Sequence, residues 1–548
     1  MKREDVISTI AASTIAILSF CVWAFLLPNH LKCQESIQLF CYDSAYLWEM
    51  YAFPGGMASL ISGFLIQFFL HPIAGATIIS ALSLLMLFTV RKACRCSLAM
   101  AVVPVLLMNA MLTSINFTLA APVAFLICLW AFIAIRSSRA DTTTGHCIVA
   151  AFLYLLTGPV AVIYPLLLII KGNLRSGLPT LIVTLAAPAV SALLSCHQPW
   201  WRFFTGLDYS HARKTASLLP LSLPLSVVAI LVICAFKHGK GWTVPALFLC
   251  LGIFSAWKAI DSHALEREQT YAYDQAARES RWDSILSMAS RHSPDNIPSL
   301  VCYNLALAET HQLGDLLFSV QQGGPQGLFP SYESNYLSMV TGSEALFHAG
   351  LINSAMHYAF EANWAYPDLH QSVRQVLMLQ KTNALGGYEE VAGKYASLLS
   401  KTLYYKHSSI PAAILRTDES KGLLLNDSDD FSKQAMLREL LADRDRCTEE
   451  SLEYLLAYDL LCKDLESFTK DLEQFWPEGK QLPRCYQEAL MMPYMTGRNA
   501  GNGMNPLISQ ETREKAAEFI KALKERKGDA YMISHFGDTY WSYHARNK

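Results

Sequence analysis

Charged side chains are missing from the long apolar runs that fill the first 260 residues of this 548-residue chain. Nine runs are candidate membrane spans, because a hydrocarbon core of ~30 Å requires roughly 20 apolar residues. These runs are Val6–Leu27, Ala52–Leu70, Ile73–Val90, Ser97–Leu112, Phe117–Ile135, Cys147–Ile170, Leu178–Leu194, Leu218–Phe236 and Trp242–Trp257. Ion-driven carriers place ionisable groups within their spans, so the uncharged runs argue against a transporter or pump.

The sequence signatures of common enzyme and metal sites are absent as well. The chain has no P-loop, no G-x-S-x-G, no H-E-x-x-H and no dinucleotide-binding glycine pattern. Cys94-x-Cys96 has no second cysteine pair at zinc-binding spacing, so we expect no metal site. The basic stripe of a nucleic-acid-binding protein is also missing, so we expect no nucleic-acid partner.

The charges that are present divide the chain into two parts of opposite sign. Residues 1–260 hold 16 Lys and Arg against 7 Asp and Glu, whereas residues 261–548 hold 28 against 39. We therefore predict an all-α protein with two domains. Residues 1–260 form a membrane-embedded helical domain whose partner is the lipid bilayer, and residues 261–548 form a soluble helical domain.

Two details of the membrane domain stay open. The run Cys147–Ile170 contains Thr157-Gly158-Pro159, which favours either a kinked helix or two half-helices. Cys33 and Cys41 share the first loop, and a disulfide between them would require that loop to lie outside the cytoplasm.

The basic residues give conflicting indications of orientation. Lys2 and Arg3 precede the first run and favour a cytoplasmic N-terminus, and nine spans would then place residues 261–548 outside the cytoplasm. We expect this orientation, although the later loops carry more Lys and Arg on the opposite side. The residues that would fall outside are Arg91, Lys92, Arg95, Arg136, Arg139, Arg202, Arg213 and Lys214.

Two loops between the runs carry side chains suited to chemistry. The loop from Pro28 to Tyr51 and the loop from His197 to Lys214 combine acids, cations and aromatics. Such residues at span ends commonly form an interfacial belt. The alternative is a substrate cleft at the lipid boundary, with carboxylates as general base and cations holding a phosphate. The candidates are Glu35, Asp43 and Glu49 for catalysis, and Trp48, Trp200, Trp201, Arg202, His211 and Arg213 for substrate binding.

The second half of the chain repeats a helix–turn–helix pattern. Apolar residues recur three and four positions apart, and turns recur at intervals of 33, 36, 37 and 76 residues. The turns are Arg281-Trp282, Gly314-Asp315, Gly350-Leu351, Gly387-Tyr388 and Lys463-Asp464, with a further turn expected near Asn426–Asp430. This period is typical of tetratricopeptide-like repeats, whose stacked helix pairs offer a surface to a peptide or partner protein. A structural spacer is the alternative.

Several short segments resemble an uncharacterised family of multi-pass proteins from Bacteroidota. The matching segments are Gln38-Leu39-Phe40, Pro54-Gly55-Gly56, Gln67-Phe68-Phe69 with Pro72 and Gly75, Asn304-Leu305-Ala306-Leu307, Gln322-Gly323 to Gly327-Leu328, Phe360-Glu361-Ala362, Gly387-Tyr388, Lys394-Tyr395 and Tyr454-Leu455. The resemblance covers nearly the whole chain. It implies a bacterial inner-membrane protein with a periplasmic C-terminal domain, and it implies no activity.

The architecture is also similar, more loosely, to GT-C glycosyltransferases, some of which carry C-terminal tetratricopeptide repeats. That likeness implies a polyprenyl-phosphate sugar donor, with Asp43 as catalytic acid or base and Glu35 and Glu49 as reserves. Arg202 or Arg213 would hold the donor phosphate, and a divalent cation would be a conceivable cofactor. Asp43 departs from the usual pattern because it has no paired acidic residue.

Two functions therefore remain as expectations. The first is a multi-pass membrane protein that presents a helical-repeat scaffold for interaction with another envelope protein or peptide. The alternative is a GT-C-like transferase that uses a lipid-phosphate-linked sugar.

Overall fold

The computed structural model describes residues 3–135, 141–194, 200–205, 221–235, 243–331, 336–365, 372–407, 432–442, 448–496 and 505–546. Within these ranges the side chains at positions 3–8, 202, 205, 235, 364, 365 and 546 are not described. All regular elements of the described residues are helices, and no β-strand occurs among them. The predicted all-α class is thus confirmed for this part of the chain.

The chain forms two compact units, and each unit is made of more than one segment of the sequence. The first unit is Met1–Tyr271 together with two later segments, Tyr366–Arg374 and Lys401–Lys406. The second unit is Ala272–Ala365, Gln375–Ser400 and His407–Lys548.

The first unit is built from apolar helices joined by short turns. Its helices are α1 (Arg3–Cys21), α2 (Pro28–Ile37), α3 (Ser44–Tyr51), α4 (Gly56–Ile66), α5 (Pro72–Cys94), α6 (Leu98–Leu112), α7 (Ala120–Ile135), α8 (Thr143–Thr157), α9 (Ile163–Ile170), α10 (Leu174–Leu194), α11 (Arg202–Thr205), α12 (Ser222–Ala235), α13 (Thr243–Ala259) and α14 (Ala264–Arg278), the last of which continues into the second unit. A π-helical turn, Val22–Leu26, extends α1, and 3₁₀ turns follow α4 and α8.

Fewer helices than predicted have the full length of a membrane span. By length and composition, four segments of the described residues could cross a membrane: Thr9–Leu26, Pro72–Cys94, Thr143–Ile170 and Leu174–Leu194. The bent pair of α13 and α14 would be a fifth, and shorter apolar helices of 10–17 residues lie between them. The prediction of nine full spans is therefore not confirmed.

The segment Thr143–Ile170 folds back on itself. Nδ1 of His146 in α8 lies 2.7 Å from the hydroxyl oxygen of Tyr164 in α9, whereas 18 residues of continuous helix would separate these positions by about 27 Å. The hydroxyl oxygens of Thr143 and Ser176 lie 3.1 Å apart, so the start of α8 and the start of α10 are at the same end. Of the two predicted possibilities, two half-helices is the one observed.

A second hairpin, formed by α3 and α4, meets the first at its tip. The Nε2 group of Gln67, after α4, donates to the hydroxyl of Tyr42, before α3, over 2.9 Å, so both ends of this hairpin also lie together. At the tip, the backbone N–H of Gly55 donates to the carbonyl oxygen of Leu155 at 2.9 Å. Gly55 has φ 95° and Gly158 has φ 71°, values that glycine adopts readily. Glycine therefore permits both sharp reversals.

The other helices of the first unit have their ends at two opposite faces of that unit. On one face, a ring nitrogen of His30 lies 3.0 Å from the carbonyl oxygen of Leu112, and the backbone N–H of Asp261 donates to Thr113 Oγ1 at 2.9 Å. We call residues 28–43, 112–117 and 261–268 the loop face. At the other end, Lys171 Nζ donates to the carbonyl oxygen of Cys94 at 3.2 Å. We call residues 94–98, 141–146 and 171–176 the turn face.

The second unit consists of helices joined by turns, and several of them pack against the next helix in the chain. Its helices are α15 (Trp282–Arg291), α16 (Ile297–Glu309), α17 (Leu313–Leu316), α18 (Tyr336–His348), α19 (Ile352–Ala365), α20 (Val373–Leu385), α21 (Glu389–Ser400), α22 (Lys433–Ala442), α23 (Glu449–Cys462), α24 (Leu465–Phe475), α25 (Arg484–Met495), α26 (Gln510–Lys524), α27 (Asp529–Phe536) and α28 (Tyr540–Arg546). The first two residues of α20 belong to the first unit.

Residues with a left-handed backbone conformation lie at or near the turns that the sequence predicted. They are Ser280, His311, Gly350, Gly387 and Lys463, all with positive φ, and each directly precedes or lies within three residues of a predicted turn. The further turn expected near Asn426–Asp430 lies outside the described residues. Helix pairs are thus present, while a regular tetratricopeptide-like solenoid stays a prediction.

The pair α18 and α19 illustrates why small residues recur in the pattern. Ala345, Ala355 and Ala359 are completely buried. The hydroxyl of Ser343 donates to the carbonyl oxygen of Ala355 at 2.7 Å, which requires the two helix backbones to approach closely. A larger side chain at these alanines would force the helices apart.

Candidate functional site at the first loop

The three predicted catalytic acids occupy three different environments along the first loop. Glu35 is buried on α2, Asp43 directly precedes α3, and Glu49 is exposed on α3. Helix α2 places Glu35 inward because its buried residues run continuously from Cys33 to Ile37. The acids therefore do not share one surface.

Glu35 is held by a tyrosine from a distant part of the sequence. The hydroxyl of Tyr405 donates to both carboxylate oxygens, with distances of 3.0 Å and 2.8 Å. A buried carboxylate is costly unless it accepts hydrogen bonds, and this donor offsets part of that cost. Only 3% of Glu35 is exposed, so a substrate cannot reach it without displacing the tyrosine.

Asp43 pairs with a cation from the same distant segment. Lys401 Nζ lies 3.3 Å from Asp43 Oδ2, and the backbone N–H of Tyr42 donates to the carbonyl oxygen of Lys401 at 2.7 Å. We call residues 401–406 the strap, because this segment crosses the first loop. Asp43 remains about one-third exposed and could still meet a ligand at the surface.

A second segment supports the same loop. The hydroxyl of Ser372 donates to the carbonyl oxygen of Ser36 at 2.8 Å, and the backbone N–H of Val373 donates to that of Gln38 at 3.3 Å. Both segments belong to the first unit although they lie more than 300 residues beyond the loop in sequence. The first loop is therefore a packed structure.

The cavity between the strap and the loop is small. It has a volume of about 10 Å³ and is lined by Glu35, Gln38, Gln67, Thr402 and Tyr404 among others. That volume holds roughly one water molecule. It cannot hold a sugar in this conformation.

A divalent cation does not fit the first-loop acids as they are arranged. Lys401 already neutralises Asp43, and Glu35 faces the Tyr405 hydroxyl. Among the described residues, the group that could hold a metal is His311, Glu449 and Glu453, in the second unit. No step at the first loop is therefore assigned to a metal ion.

The two cysteines of the loop are not joined by a disulfide. Cys33 and Cys41 are both buried thiols. Burial raises the pKa of Cys41 to about 11, although Lys401 lowers it in part. The Cys41 thiol is therefore protonated at neutral pH and is a poor nucleophile.

The predicted aromatic substrate-binding residues face outward. Trp48 is 71% exposed, Trp200 68% and Trp201 42%. Their exposure agrees with an interfacial belt and does not distinguish it from a substrate surface. Arg202 lies in α11, but its side chain is not described, and His211 and Arg213 lie outside the described residues.

The described part of the second loop lies against the hairpin tips. The rings of Phe203 and Phe53 stack with centroids 6.5 Å apart. The Tyr154 hydroxyl donates to the carbonyl oxygen of Phe203 at 3.0 Å. These contacts link α11 to the tip residues on both hairpins.

A groove on the apolar surface of the first unit is large enough for a lipid chain. It has a volume of about 660 Å³ and is lined entirely by apolar side chains of α4, α5, α7 and α8, including Ile61, Leu82, Ile127 and Phe152. Such a lining suits an acyl or polyprenyl chain and offers no group for acid–base chemistry.

The sequence analysis missed a buried hydrogen-bonded chain on the turn face. His146 bridges Asp141, at 2.8 Å from Nε2, and Tyr164, at 2.7 Å from Nδ1. His146 and Tyr164 are buried, while Asp141 is half exposed. These hydrogen bonds connect the two helices of the α8–α9 hairpin. The sequence feature that could have indicated them is a single histidine at the start of an apolar run.

Comparison with known proteins places the chain in a family but gives it no activity. No curated protein and no solved structure matches it. The family model of DUF6057, a family of unknown function, matches residues 4–546. Because the match covers nearly the whole chain, this protein belongs to DUF6057.

Proposed function

We propose that this protein is an integral inner-membrane protein that holds a helical-repeat scaffold on the periplasmic face. The scaffold would bind another envelope protein or peptide. The observation that carries the proposal is the contact of the strap and of residues 372–373 with the first loop. These contacts support a position of the chain beyond the last apolar helix on the same side of the membrane as that loop.

The arrangement of helix ends supports seven membrane crossings and two hairpins. Helix α6 begins beside Cys94 on the turn face and ends at Leu112 on the loop face. Because α5 joins the same two faces, α6 crosses the membrane if α5 does. The same reasoning applies to the other helices that join the faces. The proposed crossings are α1, α5, α6, α7, α10, α12 and α13, whereas α3–α4 and α8–α9 each return to the face from which they enter.

This arrangement removes the conflict among the basic residues. Of the 16 Lys and Arg in residues 1–260, eleven fall on the turn side by their positions in the sequence, and five fall on the loop side. The eleven are Lys2, Arg3, Arg91, Lys92, Arg95, Arg136, Arg139, Lys171, Arg175, Lys237 and Lys240. Positive charge marks the cytoplasmic side, so the turn face would be cytoplasmic and the loop face periplasmic.

The contacts at the strap favour a scaffold over chemistry at the first loop. Glu35 and Asp43 are both engaged by strap residues, and the adjoining cavity holds about one water. The helix pairs of the second unit take no part in these contacts at the first loop. Helix-pair arrays commonly present a surface to protein partners.

Co-purification from native membranes tests the scaffold. We expect the tagged full chain, after mild cross-linking, to enrich a specific envelope protein or peptide over an unrelated multi-pass bait. Asp43→Asn should enrich the same partner, because the scaffold does not use this carboxylate. Equal recovery with both baits would contradict the proposal.

Two observations support the alternative, a GT-C-like transferase. Asp43 is partly exposed and lies 3.3 Å from the cation of Lys401, which could also attract a phosphate. A polyprenyl chain would suit the apolar groove. Under this alternative Asp43→Asn abolishes sugar transfer from a polyprenyl-phosphate donor, whereas under the scaffold proposal no such transfer is detected with either chain.

A further inference from the structure

A histidine and three glutamates of the second unit converge beside the start of α23. His311 lies in the left-handed turn after α16, with φ 54°. Glu449 and Glu453 lie one helical turn apart on α23, so their side chains share one face. Glu450 lies beside them on the same first turn.

The distances within this cluster suit a metal ion. His311 Nδ1 lies 3.6 Å from Glu453 Oε1, and His311 Nε2 lies 3.6 Å from Glu450 Oε1. One ligand atom from each of His311, Glu449 and Glu453 lies within 4.8 Å of the others. Tetrahedral ligands about 2.0–2.1 Å from zinc lie roughly 3.3 Å apart, so modest side-chain movement would bring these atoms into position.

Glu453 supplies an independent indication of a missing ligand. The residue is 6% exposed, and its Oε2 atom is buried without a hydrogen-bond partner. A buried carboxylate oxygen without a donor is costly, and a cation would remove that cost.

Ordinary helix capping explains only part of the cluster. Acidic residues in the first turn of a helix interact favourably with its dipole, which accounts for Glu449 and Glu450. Glu453 lies beyond that turn and is buried, and His311 comes from another helix pair. Lys480 contacts Glu449 and is the competing cation in this structure.

We propose that His311, Glu449 and Glu453 bind one divalent transition-metal ion, with Glu450 or water as a further ligand. An imidazole nitrogen with carboxylates suits Zn²⁺ better than Mg²⁺, because Mg²⁺ prefers ligand sets composed only of oxygen. The ion would join the turn after α16 to the start of α23. This site is independent of the first loop and of the proposed scaffold function.

Zinc titration of the full chain in detergent, after treatment with a chelator, tests the site. We expect about one tight Zn²⁺ per chain, a rise in the midpoint of thermal unfolding on adding Zn²⁺, and a much smaller rise with Mg²⁺. Glu453→Gln and His311→Asn should each weaken binding at least tenfold and abolish the zinc-dependent rise. Asparagine tolerates the left-handed backbone at position 311.

Two control variants distinguish zinc binding at this site from zinc binding at other histidines and from an effect of unfolding. His348→Gln, in a histidine that pairs with Glu309 at a neighbouring turn, should leave tight binding unchanged. Lys480→Met should strengthen binding, because it removes the competing cation from Glu449, and this gain cannot arise from unfolding. Tight binding that is unaffected by Glu453→Gln and Lys480→Met would overturn the proposal.

Discussion

At the scale of single residues, a buried carboxylate holds the last helix of the second unit. Glu488 on α25 accepts from the backbone N–H of Tyr540 at 2.7 Å, and its carbonyl oxygen accepts from the indole N–H of Trp541 at 2.7 Å. Burial raises the pKa of the Glu488 carboxyl to about 7 from 4.5, although Arg484 lowers it in part. The last helix, α28, is therefore held by a group that titrates near neutrality.

Replacing Glu488 should change how the stability of the protein depends on pH. Because the folded-state pKa is raised, the folded protein binds more protons than the unfolded chain between about pH 4.5 and pH 7. The contribution of Glu488 to stability is then full below about pH 4.5 and is lost as the pH rises through 7. Across this pH window we expect the midpoint of thermal unfolding, measured by tryptophan fluorescence, to fall less steeply in Glu488→Gln than in the parent chain.

A surface substitution provides the comparison. Glu518→Gln on α26 removes an exposed carboxylate and should leave the pH profile of the parent chain unchanged. If Glu488→Gln and Glu518→Gln give the same profile, Glu488 does not carry the proposed pH dependence.

The residues that hold the first-loop acids could not be predicted from the sequence. Asp43 and Glu35 stood out because acids are scarce in residues 1–260, but their partners Lys401 and Tyr405 lie in a segment that looks like part of the soluble half. Only the folded chain brings the two regions together. His146 was missed for the opposite reason, since one histidine beside an apolar run carries no pattern.

At the scale of helices, the two hairpins are the reason we propose that two of the nine apolar runs do not cross the membrane. The run Cys147–Ile170 was predicted to be kinked or split from Gly158 and Pro159, and the structure resolves this into α8 and α9. The run Ala52–Leu70 carried no comparable signal, because its turn residues Pro54 and Gly55 lie at its edge. Apolar composition alone cannot distinguish a helix that crosses from one that returns.

Alanine at a hairpin tip should destabilise the membrane half. Gly158 has φ 71° and ψ −152°, a combination that is essentially restricted to glycine. We expect Gly158→Ala to cost about 1–3 kcal/mol and to lower the thermal midpoint. Gly393→Ala, in the middle of α21 with open space around the added methyl group, should be neutral or slightly stabilising. Equal thermal midpoints for the two variants would contradict the glycine-specific conformation of Gly158 at the hairpin tip.

Helix pairs in the second unit were more predictable than the hairpins. Left-handed turn residues such as Gly350 and Gly387 have a local sequence signal, and the small residues that follow report close helix packing. The long-range order of these pairs has no such local signal. The tetratricopeptide-like period predicted the helix pairs, and the regular solenoid that it also predicted is not confirmed.

At the scale of the whole molecule, the account depends on which apolar segments cross the membrane. Treating all nine apolar runs as crossings placed eight cations outside the cytoplasm, and the proposed topology moves five of them to the cytoplasmic side: Arg91, Lys92, Arg95, Arg136 and Arg139. Under the proposed topology with two hairpins, the loops between the hairpins change sides, and eleven of the 16 Lys and Arg in residues 1–260 lie on the cytoplasmic side. The strap contacts support the proposal that the chain beyond α13 lies on the side of the first loop.

Cysteine labelling with a membrane-impermeant maleimide tests this topology most directly. Ser44→Cys and Ser287→Cys, both exposed, report the first loop and the second unit, and exposed Ser97→Cys reports the turn between α5 and α6. The background carries Cys96→Ser, Cys196→Ser, Cys447→Ser and Cys462→Ser, which removes the thiol beside position 97, the thiol of the second loop and the thiols of the second unit other than the buried Cys302 and Cys485. In intact cells we predict that positions 44 and 287 are labelled and that position 97 is labelled only after permeabilisation. Labelling of all three positions in intact cells would contradict the two hairpins.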